Sequence, residues 1–156
     1  MRKRPSKYCL EESLGHLASN ASRAVLKRIN QELARRGFPI TSEQFSVMVH
    51  IWDQNGQPQY MLTRTLFKDK TTMARLVGGL ESLGLVTRIP GQRDAREKIV
   101  YLTEAGKQMM ANIGDLILEI LEQAQKGIDN RELEICKDVL RRFHHNLVGL
   151  SIAGPA

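Results

Sequence analysis

The chain has 156 residues, with 23 Lys and Arg against 17 Asp and Glu, for a formal net charge of +6. A composition of 42% apolar and 26% charged residues fits a globular domain with a real core and excludes a disordered or collagen-like chain. No apolar run approaches the ~20 residues needed to span a bilayer, and Glu11-Glu12 fall where a secretion signal would turn apolar, so a cytoplasmic protein without membrane contact is expected.

Residues 1–9 carry Arg2, Lys3, Arg4 and Lys7 and read as a disordered basic leader. Leu10, Leu14, Leu17, Ala21, Val25, Ile29 and Leu33 then recur at steps of three and four, which predicts one long amphipathic helix. Gly37 and Pro39 stop it. Thr41-Ser42-Glu43-Gln44 is a capping box, with Phe45, Met48, Val49 and Trp52 as the expected apolar face of a second helix. Asn55-Gly56-Gln57-Pro58 reads as a turn. A short helix from about Tyr60 to Phe67 follows, with Leu62 and Leu66 inward. Asp69 is a good N-cap for a further helix burying Met73, Leu76, Val77, Leu80 and Leu83 and ending at Gly84. Two helices joined this tightly form a helix-turn-helix pattern.

Leu85–Ile89 and Lys98–Leu102 are rich in β-branched residues and predict a hairpin, with residues 90–97 as its charged tip. Helix, turn, helix and hairpin together describe a winged helix-turn-helix. Beyond Thr103, the residues Met109, Ile113, Leu116, Ile117, Ile120 and Ala124 mark a long helix ending near Gly127. A second capping box, Asp129 to Glu132, opens the last helix, whose stripe is Leu133, Cys136, Leu140, Phe143, Leu147 and Leu150. The expected fold is thus mainly α (α+β). Residues 37–103 form the winged module, and 10–36 with 104–151 form long flanking helices intertwined with it.

Charge follows the same division. Residues 1–56 hold 9 basic and 5 acidic side chains, 57–103 hold 8 and 4, and 104–156 hold 6 and 8. The basic field therefore lies on the first two-thirds, where a polyanion would bind. The flanking helices carry more apolar surface than a small winged module covers. That excess implies burial against a second copy, or else a fold-back into a monomeric bundle.

At the start of the second helix of the pair, Lys70, Thr71, Thr72 and Arg75 are the candidates for contact with base edges in a major groove. Arg64, Lys68, Arg88 and Lys98 flank that helix and the hairpin and are candidate phosphate contacts on double-stranded DNA. An enzyme is not expected. The chain has no Gly-rich phosphate loop, no nucleophile–base constellation and no paired carboxylates in a loop. His144 and His145 are neighbours that would point about 100° apart on a helix, so no metal site and no cofactor are expected. A winged domain serving only protein–protein contact is the other class, but it has no use for the cations displayed here.

Two stretches give a family resemblance that covers about Leu14 to Leu150. They are Leu80-Glu81-Ser82-Leu83-Gly84-Leu85-Val86, and Arg93-Asp94-Ala95-Arg96 running into Leu102-Thr103-Glu104-Ala105-Gly106. With this order of elements the chain resembles the MarR (multiple-antibiotic-resistance regulator) family of bacterial transcription factors. The resemblance implies a homodimer interlocked through its first and last helices, reading a pseudo-palindromic operator as a repressor relieved by ligand. It implies that Arg96 enters a minor groove, that Asp94 orients its guanidinium, and that Arg93 tracks phosphates. Many members bind small aromatic or phenolic effectors, for which His16, Arg23, His50 and Trp52 are the candidates, although the position of Trp52 also reads as core. A redox-sensing branch places a cysteine where this chain has Gly15, leaving Cys9 in the leader as the alternative thiol and Cys136 as an expected core residue. The chain departs from the family pattern at Gly78-Gly79, inside the recognition helix, and at Gly91.

Overall fold

A computed structural model describes residues 9–150 of the chain. The leader cations Arg2, Lys3, Arg4 and Lys7 lie outside the described residues, as do residue 151 and the side chain of Leu150. The elements run α1 (Leu14–Arg35), α2 (Ser42–Asp53), β1 (Gln57–Pro58), α3 (Gln59–Thr65), α4 (Lys70–Ser82), β2 (Val86–Pro90), β3 (Lys98–Leu102), α5 (Glu104–Ala124) and α6 (Asn130–Leu150). The chain divides into two units, Met1–Leu121 and Glu122–Ala156.

The predicted first helix is broken near its start. Leu10–Glu12 form a single 3₁₀ turn, and the Ser13 hydroxyl then accepts from the His16 amide to cap α1. The C-terminal half of α1 buries Ile29 and Leu33, while Leu10 and Leu17 upstream are about half exposed. The capping box of α2 forms as read, with the Thr41 hydroxyl on the Gln44 amide and the Gln44 side chain on the Thr41 amide. Gly37 and Gly84 both take positive φ after helix ends.

Three expectations need correction. The buried face of α2 is Val47, Met48 and Ile51; Phe45 is partly buried, Val49 is exposed, and Trp52 is 52% exposed rather than core. Apolar residues fill nearly all of Phe45–Trp52, so periodicity marks two faces there and cannot select the one the core takes. Gln57-Pro58 is not only a turn: it pairs antiparallel with β3 at Val100 and Ile99, completing a sheet of order β1-β3-β2. Leu83 is the C-cap of α4 and is exposed, because the helix ends before that position turns inward.

In the first unit one core gathers α1 to α5: Leu33, Met48, Leu62, Met73, Leu80, Val100 and Ile113 are fully buried within it. The junction of wing and α5 is tight. The Thr103 amide donates to the Leu85 carbonyl, and its hydroxyl donates to the Gly84 carbonyl while accepting from the Gly106 amide. A Cβ at Gly106 would lie 2.1 Å from the Leu85 carbonyl oxygen, so only glycine lets α5 start there.

In the second unit, α6 opens with Asp129 accepting from the Arg131 amide and Glu132 accepting from the Asp129 amide. No described side chain of α6 is buried. Ile135, Leu140, Phe143, Leu147 and Val148 are exposed, and so is Cys136, which is therefore not a core residue of the single chain. Among the described residues no helix is long and apolar enough to cross a membrane, and no group of three His, Cys, Asp or Glu is placed to hold a metal.

Candidate nucleic-acid interface

The start of α4 is fixed by one side chain. Asp69 Oδ1 accepts from the Thr72 amide at 2.8 Å, and Oδ2 accepts from the Thr72 hydroxyl at 2.7 Å. These two bonds, the hydroxyl's first, hold the Asp69 carboxyl below its ordinary range. They also commit the Thr72 hydroxyl proton to the cap, leaving only acceptor capacity for a base. Lys70, Thr71 and Arg75 are exposed along the first turns of α4, while Met73, Leu76, Val77 and Leu80 anchor its other face. The turn leading into α4 holds Phe67 at φ +51°, a left-handed conformation costly for a residue with a Cβ.

The wing is closed by backbone bonds. The Gly91 amide donates to the Glu97 carbonyl, and the Glu97 amide to the Asp94 carbonyl. Asp94 Oδ1 accepts from the Arg96 backbone amide at 2.9 Å. The expectation that Asp94 grips the Arg96 guanidinium is thus corrected. The carboxylate sits two residues upstream, which is the spacing of an Asx turn, so it shapes the tip and leaves the guanidinium outside. Arg93 and Arg96 are both exposed. A cleft of about 430 Å³ lies between α3, the first residue of α4 and the wing, lined by Gln59, Tyr60, Thr63, Lys70, Asp94, Arg96, Glu97 and Lys98. Lys70, Arg96 and Lys98 therefore converge on one concavity, and Tyr60 and Thr63 join them without any sequence signal that marked them beforehand.

The remaining cations divide into two groups. Arg64 and Lys98 are exposed. Lys68 is held by Glu43 across 25 positions of sequence, at 2.5 Å. Arg88 is held by Glu81, whose Oε2 accepts from Nε at 3.1 Å and from Nη2 at 2.5 Å while Oε1 accepts from the Arg88 amide. The Arg88 guanidinium, its hydrogen bond first, draws the Glu81 carboxyl below the usual range. The two glycines of α4 differ from each other. A Cβ at Gly79 would meet Nε2 of the Gln44 side chain at 2.7 Å, whereas Gly78 faces open space.

Among the described grooves, no two of the candidate effector residues line the same one. His16 pairs with Asn20, the His50 ring bonds the Ser46 carbonyl, and Arg23 lines a groove along α1 and the start of α2. Trp52 lines a separate groove of about 180 Å³ with Ile51, Asn55, Leu102 and Lys107. Cys9 is exposed.

A capped helix anchored through one face, with a basic hairpin alongside it, defines a winged helix-turn-helix protein. Residues 40–98 match the MarR family model. The chain is 34% identical to the transcriptional regulator HosA of Escherichia coli O111:H- over 107 residues, 67% of this chain and 77% of that one. It is similar to CouR from Rhodococcus jostii RHA1, solved bound to p-coumaroyl-CoA (25% identity, TM-score 0.74, covering 88% and 95% of the two chains). It also shares the fold of a mutant MarR from Escherichia coli complexed with operator DNA (24% identity, TM-score 0.74, covering 83% and 92%). The chain belongs to the MarR family, a family of transcriptional regulators rather than enzymes.

Proposed function

We propose that this regulator binds a pseudo-palindromic operator as a homodimer, with α4 in the major groove and the wing tip in the adjacent minor groove. The observation that carries this reading is the convergence of Lys70, Arg96 and Lys98 on one cleft between the α3–α4 pair and the wing. A strand of duplex passing from major to minor groove must cross that space. Lys70, Thr71 and Arg75 supply base contacts, Thr72 supports them through the cap, and Arg96 reads minor-groove shape. Arg64, Arg93 and Lys98 hold phosphates. The fold of α6 supports the dimer, because an exposed apolar stripe of this regularity calls for a partner helix. Footprinting on DNA upstream of the protein's own reading frame should reveal two half-sites about one helical turn apart. Arg96→Ala should weaken that footprint by about tenfold and Asp94→Ala by less. Unchanged affinity of Arg96→Ala at fixed salt would remove the wing from the interface.

The groove at Trp52 supports a second element of the reading, release of the operator by a small aromatic acid. The half-exposed indole offers a face for one ring, and Lys107, whose ammonium pairs with Glu104 at 3.4 Å, lines the same groove and can exchange that partner for a ligand carboxylate. A thermal-shift series of aromatic carboxylates should raise the melting temperature of the wild type and not of Trp52→Ala. No shift in the wild type would overturn the effector role.

A further inference from the structure

We infer that Glu81 is a positioning residue for operator reading, and that Arg88 is an internal strut between recognition helix and wing rather than a phosphate contact. The inference rests on the DNA-binding reading above and adds to it what fixes the angle between its two reading elements. Glu81 lies in the last turn of α4 and Arg88 in the middle of β2. Between them run three hydrogen bonds, two to the guanidinium and one to the Arg88 backbone amide. The guanidinium bonds join the two side chains, and the backbone bond also ties the strand itself to the helix. The guanidinium bonds add charge to the same tie, in a half-exposed setting where neither partner is fully solvated.

The alternatives for Arg88 are distinguishable by chemistry. A phosphate contact releases counterions and adds about one unit per protomer to the salt slope of binding, irrespective of sequence. A strut leaves that slope alone and acts on discrimination. A wing that rotates against α4 still meets the duplex, but its arginine and the bases under α4 no longer fall in register.

The test measures wild type, Glu81→Gln, Arg88→Gln, the double variant Glu81→Gln/Arg88→Gln and the swap Glu81→Arg/Arg88→Glu against an operator duplex and a scrambled duplex over a salt series, with thermal melting of each protein. Glu81→Gln should lose about tenfold in operator affinity while scrambled-duplex affinity and melting temperature stay near wild type. Arg88→Gln should leave the salt slope unchanged and add nothing to Glu81→Gln. The swap should recover part of the discrimination. Arg88→Gln lowering the salt slope of the dimer by about two, with Glu81→Gln at wild-type discrimination, would overturn the inference. Equal losses on both duplexes, tracking a fall in melting temperature, would overturn it as well. A wild type that binds neither duplex removes the DNA-binding reading, and this inference with it.

Discussion

Between Ser42 and Leu102 the apolar stripes end in a core, with Met73, Val77 and Leu80 at 0% exposure. On α6 an equally regular stripe leaves Leu140 and Phe143 at 36% and Leu147 at 53% exposure. Periodicity is the same in both places; what differs is whether the described residues of this chain supply the surface that answers it. Hydrophobic burial does not distinguish a residue of the same chain from one of a second copy. A stripe left bare by its own fold is therefore a statement about assembly, whereas a buried one is a statement about stability.

Substitutions should separate the two regions. The largest effect is expected from Leu140→Glu with Phe143→Glu, since a carboxylate buried without a partner in an interface costs about 3–5 kcal/mol. If the wild type pairs as proposed, sedimentation should give a monomer for the double variant where the wild type sediments as a dimer, with the dissociation constant raised more than about 100-fold. A double variant that still sediments as a dimer would break the comparison. Met73→Ala comes next: it should cost about 2–5 kcal/mol in chemical denaturation through the cavity it opens, while the dimer survives at concentrations where the variant is folded. The smallest effect concerns the cap of α4. The Asp69 carboxyl sits below its ordinary value of 3.8 because its charged form accepts the Thr72 bonds. Its contribution is therefore full above that value and fades as pH falls through the lowered one. Asn keeps the acceptor but not the charge. Asp69→Asn should melt slightly below wild type at neutral pH, and the gap should close in acid. A gap constant with pH would mean that the charge contributes nothing.

Local chemistry was legible in the sequence wherever a short segment decides its own structure. Thr41 with Gln44, and Asp69 before α4, act as the caps their residue types imply, and Gly37 and Gly84 end helices where read. The misread segments depend on distant partners. Gln57-Pro58 becomes a strand only because β3 lies beside it, and α2 turns its Val47 face inward because the core lies there. The same limit hid much of the interface. Glu81 lies only seven residues before Arg88 but on a different element, and Lys68 meets Glu43 from 25 residues away, so free cations could not be told from engaged ones. The 3₁₀ turn before Ser13 was missed for a smaller reason: leucine spacing alone carries no sign of a broken first turn.

The salt dependence of binding to the footprinted operator tests the central claim most directly. Arg64, Arg93 and Lys98 are exposed in each chain, and with a dimer on the duplex they would neutralise about six phosphates, for a log–log slope near about −5. A slope that steep, with affinity for the operator well above that for scrambled DNA, is the result expected of a winged-helix dimer seated as proposed. A slope near zero would contradict it.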